Sequence, residues 1–241
     1  MAGTGGYSKS RLHDWGNSPD AQCGSAFSEE FYREGMSMDT FIAVDLEMTG
    51  LRVKTDRILE IGAVKAENGQ VTDSFQTFVN PHRSLDEEII RLTGITDEML
   101  NGAPGPEEAV RSFLSFAGEL PLLGHNLMFD YSFLKQAMAN CDLPFERNGM
   151  DTLKIARKVL AEPESKSLDS LCAYFQIHRE RKHRARDDAE AACRLYFMLR
   201  DRYGQEQPDL FAPRPLLYRV KKTGKDYAGT KKRLESFDYL S

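Results

Sequence analysis

Asn68-Gly69 separates two β-rich runs, residues 57–66 and 70–79. Asn-Gly tolerates the positive φ angles that close a two-residue hairpin, so the two runs are expected to pair antiparallel. A third run, residues 41–48 with the sequence FIAVDLEM, precedes them and reads as another strand. After Pro81 the period turns helical, with short helices near 86–92 and 96–101. A longer helix over 106–118 opens with Pro106-Glu107-Glu108. Residues 120–124 read as a short buried strand. A helix over 127–140 follows, with Leu127, Tyr131, Leu134 and Met138 on one stripe. Another strand ends at Met150-Asp151-Thr152, and helices follow near 152–161, 167–175 and 187–203. The expected fold is α/β: a mixed five-stranded sheet, three antiparallel strands then parallel ones, flanked by helices.

Residues 1–38 are Gly- and Ser-rich without a sustained period and read as a disordered leader. Residues 39–204 are expected to fold as one domain. Pro208, Pro213 and Pro215 then break the pattern, so 205–241 reads as a proline-containing linker and a basic tail running from Arg219 to Arg233. The four cysteines are scattered singly, which indicates neither a zinc knuckle nor a disulfide framework. No apolar run approaches the roughly 20 residues of a membrane span. The N-terminus lacks a secretory core, and a cytoplasmic location is expected. The net charge of −5 does not advertise nucleic-acid binding, although residues 178–186, HRERKHRAR, are densely basic.

Three polar clusters interrupt the apolar pattern. Asp45 and Glu47 alternate with Val44, Leu46 and Met48, so both carboxylates leave the strand on one face. Two carboxylates so placed repel unless a cation lies between them, and an oxygen-rich site selects Mg²⁺ or Mn²⁺. Alone, the pair also fits a polar strand face. Gly124 through Asp130, GHNLMFD, passes from a strand end into a helix. His125, Asn126 and Asp130 there also fit a helix cap and a dipole-compensating acid. His183 leads into a helix whose first turn carries Asp187 and Asp188. Those two are about 100° apart around the axis, so one of them faces a given site and the other can cap.

Together the clusters resemble the three exonuclease motifs of the DEDDh superfamily, over roughly residues 40–203. D-x-E matches Asp45 and Glu47, H-N-x-x-F-D matches His125 to Asp130, and H-x-A-x-x-D matches His183, Ala185 and Asp188. The third match selects Asp188 over Asp187. Asp45 to Leu51, DLEMTGL, also resembles oligoribonuclease. Leu92 to Thr96, LTGIT, and Glu60 to Val64, EIGAV, resemble the proofreading epsilon subunit of DNA polymerase III, the favoured branch. Met48 stands where many members carry Thr.

The resemblance implies an RNase H-like fold and two-metal phosphodiester hydrolysis with two Mg²⁺, or Mn²⁺ in their place. Asp45 would bridge both ions. Glu47 and Asp188 would serve the nucleophile side and Asp130 the leaving-group side. His183 would be the general base, a residue whose unperturbed pKa of about 6.5 suits proton transfer near neutrality. Leu46, Thr49, Leu51, Asn126 and Phe129 would surround the terminal nucleotide, with Leu51 as a wedge and Phe129 stacking. Core packing is the competing expectation for each. The substrate would be a single-stranded or frayed DNA 3′ end, with RNA as the alternative. A binding module without turnover would lack a carboxylate or the base, and none is missing. Gln207-Pro208-Asp209-Leu210-Phe211 resembles the Q-x-x-L-F peptide that docks on bacterial sliding clamps, unless Leu210 and Phe211 pack back onto the domain.

Overall fold

The structure, a computed structural model, describes residues 40–220. The expected leader over residues 1–38 and the tail beyond residue 220 lie outside the described residues. Strands β1 (Phe41–Met48), β2 (Ile58–Glu67) and β3 (Gln70–Phe78) form the antiparallel meander. Asn68 and Gly69 close the β2–β3 hairpin with φ of 52° and 81°. Helices α1 (Glu87–Thr93), α2 (Asp97–Leu100) and α3 (Pro106–Ala117) follow. Next come β4 (Leu122–Gly124), α4 (Leu127–Asn140), β5 (Asn148–Asp151), α5 (Thr152–Val159), α6 (Leu168–Phe175) and α7 (Ala185–Tyr203).

One sheet has the order β3-β2-β1-β4-β5-β6. β1 runs antiparallel to β2 and parallel to β4, and β4 runs parallel to β5. The sixth strand, β6 (Arg214–Pro215), corrects the expected five. It pairs antiparallel with β5 through Gly149↔Arg214, on the sheet edge where a proline costs no ladder bond.

The two faces of β1 lead into two cores. Ile42, Val44 and Leu46 join α3 and α4 residues such as Phe113, Tyr131 and Met138. Phe41 and Ala43 join Leu123, Ile155, Leu171, Tyr196 and Leu199 beneath α5, α6 and α7. Asp45 and Glu47 continue the Phe41–Ala43 row, and therefore emerge toward the start of α7.

The fold does not stop at residue 204. Phe211 is 1% exposed, stacks edge-on to Tyr196 with centroids 5.8 Å apart, and its carbonyl accepts from the Tyr196 hydroxyl at 3.0 Å. Leu216 is also buried. The expectation of an accessible Gln207–Phe211 peptide is thus corrected: burying an aromatic ring outweighs the local proline-rich character, and Phe211 belongs to the core. Among the described residues no helix is long and apolar enough to cross a membrane.

Candidate active site

The site assembles where the C-terminal end of β1 meets the first turn of α7. Asp45 pairs in register with Gly62 of β2, and Glu47 with Glu60. Gly62 makes the meeting possible. A Cβ there would lie 1.9 Å from the Arg186 backbone nitrogen and 2.1 Å from the Ala185 carbonyl carbon, so any side chain would push α7 off the sheet. Glu60 fastens the same contact: its carboxylate is fully buried and accepts from Arg184 Nε at 3.1 Å, Arg184 Nη2 at 2.9 Å and the Ala185 backbone N–H at 3.3 Å.

With α7 held there, Glu47, His183 and Asp188 each offer a ligand atom within 4.8 Å of the other two. His183 is exposed, takes the left-handed conformation at φ 57°, and its backbone N–H donates to Asp188 Oδ2 at 3.3 Å. Asp188 Oδ1 accepts from the buried Arg179 guanidinium at 2.6 Å, and Arg179 also pairs with Asp169 at the start of α6. Asp187 points elsewhere, accepting from the Arg181 backbone N–H at 3.1 Å and from the Arg186 guanidinium.

Asp130, in the first turn of α4, completes the cluster. Its orientation starts at Asn126, which caps α4 with φ 70° and ψ 41°. Asp151 Oδ1 accepts from the Asn126 backbone N–H at 3.0 Å while also capping α5. His125 is a structural tie, with Nδ1 2.9 Å from Thr152 Oγ1 and Nε2 donating to the Lys166 carbonyl at 2.9 Å. Burial lowers its pKa.

The electrostatics follow from acids crowded into one partly dry space. Burial, then the charges of Asp130, Glu47, Asp188 and Glu60, push Asp45 well above the usual carboxylate range. Burial, then Asp188, Glu60 and Asp130, raise Glu47 to about 8, against a lowering contribution from Arg184. Burial raises Asp130 to about 8, opposed by the backbone N–H groups of Asp130 itself and Leu46. Burial also raises Asp188, despite Arg179. Mutually repelling carboxylates with an imidazole beside them form a hard, oxygen-rich donor set, and such a set fits divalent cations.

The expected substrate residues divide. Leu46 is 3% exposed and its side chain lies in the core. Thr49 Oγ1 already accepts from the Arg57 backbone N–H at 2.9 Å and from the Arg83 guanidinium. Leu51 projects with 78% exposure. Asn126 is exposed and makes no capping bond with its side chain. Phe129 is half-buried, edge-on to Phe133 at 5.3 Å. Sequence reasoning assigned no site role to Glu60, Gly62, Arg179, Arg184 or Asp151. A lone acid inside the apolar run ILEIGAV was the available sign for Glu60.

Fold and site define the class: an RNase H-like α/β sheet carrying a cluster of four carboxylates and one histidine suited to divalent cations. The chain belongs to the RNase T exonuclease family, whose model matches residues 42–196. It is 39% identical over 170 residues to a PolC-type DNA polymerase III of Oceanobacillus iheyensis, across 70% of this chain and 12% of that protein. It is 39% identical over 166 residues to the PolC-type enzyme of Bacillus subtilis, across 68% of this chain and 12% of that protein. The chain thus spans a small fraction of the length of these relatives. In fold it is similar to E. coli exonuclease I in complex with a dT13 oligonucleotide, with a TM-score of 0.64, 18% identity, and coverage of 72% of this chain and 43% of that one. It is likewise similar to exonuclease X in complex with 5′ overhanging duplex DNA, with a TM-score of 0.57, 20% identity, and coverage of 71% of this chain and 99% of that one.

Proposed function

We propose that the protein is a divalent-metal-dependent 3′→5′ exonuclease that releases nucleoside 5′-monophosphates from DNA 3′ ends, in proofreading or repair. The observation that carries this reading is the convergence of Asp45, Glu47, Asp130 and Asp188 around one partly buried space, with His183 exposed beside Glu47 and Asp188. DNA is favoured because the PolC-type relatives are DNA polymerases and the structurally similar exonucleases I and X were captured on DNA.

Asp45, Glu47, Asp130 and Asp188 would hold two Mg²⁺, with Mn²⁺ able to replace them. Bound cations supply Lewis-acid neutralisation of the phosphate and a lowered pKa for the attacking water. His183 would take a proton from the attacking water, and its exposed loop would let it approach substrate. Asp45, which feels the charge of each of the other acids, would bridge the two ions by the resemblance. Thr49, Leu51, Asn126, Phe129 and the chain at Leu46 would surround the terminal nucleotide, as the resemblance implies. Contacts to the phosphates and base faces suit trimming without sequence preference. A sliding-clamp contact through Gln207–Phe211 is not part of this reading, because Phe211 is committed to the core.

The test is the full chain incubated with Mg²⁺ and 3′-labelled single-stranded DNA, mismatched duplex DNA and RNA, with a chelator control. Faster mononucleotide release from DNA, abolished by chelation, is expected. Preferred release from RNA would replace DNA as the substrate, and no release by folded protein would leave only a binding module.

A further inference from the structure

We propose that Asp56 and Arg83 are positioning residues that brace the loop carrying Leu51, and that this brace lets the enzyme prise the terminal base from a paired 3′ end. The proposal rests on the exonuclease reading above and on Leu51 meeting the last base.

The loop between β1 and β2 is tied at its mouth. The Thr49 backbone N–H donates to the Arg57 carbonyl at 2.9 Å, and the Arg57 N–H returns to Thr49 Oγ1 at 2.9 Å. Inside the loop, Asp56 is 6% exposed and accepts from the Arg52 backbone N–H at 2.7 Å, while the Asp56 N–H donates to the Arg52 carbonyl at 2.8 Å. The carboxylate fits beneath the chain because residue 50 is glycine: a Cβ there would lie 2.5 Å from Asp56 Oδ2. Two arginines compensate the enclosed charge, Arg52 Nε at 3.8 Å from Oδ2 and Arg83 Nη2 at 3.9 Å from Oδ1. Arg83 comes from the segment after β3, and its guanidinium also donates to Thr49 Oγ1. One side chain therefore staples the loop, through both Thr49 and Asp56, to a separate part of the fold.

Near the start of this braced loop, four residues beyond Glu47, Leu51 is displayed at 78% exposure. A singly exposed leucine is ordinary on its own. A leucine carried by a loop held through several backbone and side-chain ties is different, because the backbone on either side of it is tied down before anything binds. Separating a stacked, paired base requires a wedge that does not yield. A single strand has no pair to break and makes a smaller demand on loop stiffness. The brace should therefore govern the choice between paired and unpaired 3′ ends, with little bearing on metal-site chemistry at Asp45.

The experiment compares kcat/KM on a matched duplex 3′ end with kcat/KM on a single strand of the same sequence, in Mg²⁺, for the full chain and for Leu51→Ala, Arg83→Gln, Arg83→Lys and Asp56→Asn. Circular dichroism melting confirms folding. Leu51→Ala and Arg83→Gln should each lower the duplex-to-single-strand ratio, by up to about a hundredfold, the rate cost of displacing a contact group by about 1 Å. Combining the two should lower it no further, and Arg83→Lys should recover part of it. Arg83→Gln is the decisive variant because its half-exposed side chain can be replaced without emptying the core. A ratio unchanged by Arg83→Gln while Leu51→Ala lowers it overturns the brace and leaves the wedge. A ratio unchanged by Leu51→Ala overturns both. A folded wild-type protein that releases nothing from either substrate overturns the exonuclease reading and this proposal with it.

Discussion

Arg184 lays its guanidinium along the carboxylate of Glu60, Nη2 to Oε1 at 2.9 Å and Nε to Oε2 at 3.1 Å. Its guanidinium carbon also sits 4.9 Å from the centroid of the Phe78 ring. The pair joins the first half of β2 to the residue that follows His183 and precedes α7. His183 and Asp188 thus inherit their placement from a strand far away in sequence.

Breaking that pair by Arg184→Met should strand a fully buried carboxylate and destabilise the protein by about 3–5 kcal/mol. Adding Glu60→Gln to the same chain should restore most of that loss, since no charge then remains buried. Urea denaturation of the single and double variants measures both values. Equal stability of the two variants would mean that losing Arg184 does not leave a destabilising buried charge at Glu60.

Gly62→Ala should be among the most damaging small substitutions in the chain. The added Cβ meets the backbone of Ala185 and Arg186 rather than a side chain that can swing aside. A loss of about 3 kcal/mol is expected, at the upper end for overpacking by one methyl group. Mononucleotide release should fall with it, because α7 carries Asp188. A melting temperature and activity equal to wild type would contradict the close approach.

Chelator-treated protein should lose stability as pH rises from about 5 to about 8. Glu47 and Asp130 are each raised to about 8, so the folded state binds more protons than the unfolded chain across that window. Their contribution is fully present below the unfolded carboxylate pKa and is lost as pH climbs through the folded values. The loss should be on the order of a few kcal/mol, since each tenfold difference in proton affinity between folded and unfolded chain corresponds to about 1.4 kcal/mol. Mg²⁺ or Mn²⁺ should reverse the decline by binding the ionised cluster. Chemical denaturation at several pH values, with and without the cation, checks both slopes.

The parts of the site that were legible in sequence obey local periodicities. Strand alternation put Asp45 and Glu47 on one face, and helical rotation separated Asp188 from Asp187. The Asn68-Gly69 turn set the β2–β3 hairpin, and Pro106 marked the start of α3. The less legible parts depend on pairings that no local period encodes. Glu60 looks like an ordinary strand residue until β2 lies against α7 and Arg184 reaches it. Leu46 lies between Asp45 and Glu47, yet its side chain packs in the core rather than toward the site. Phe211 resembled part of an exposed peptide because its neighbours are prolines, yet a pocket beside Tyr196 takes the ring. The same burial brings Arg214 and Pro215 alongside β5 as a sixth strand.

The most direct test of the central claim is the rate of mononucleotide release from 3′-labelled DNA by wild type and Asp45→Asn, with Mn²⁺ binding measured calorimetrically on the same preparations. Asp45→Asn should remain folded, lose release by about 10³-fold or more, and bind Mn²⁺ far more weakly, the outcome expected if Asp45 helps to hold the metal. Near-wild-type release or undiminished Mn²⁺ binding by Asp45→Asn would contradict the assignment of this carboxylate cluster as the metal-dependent nuclease centre.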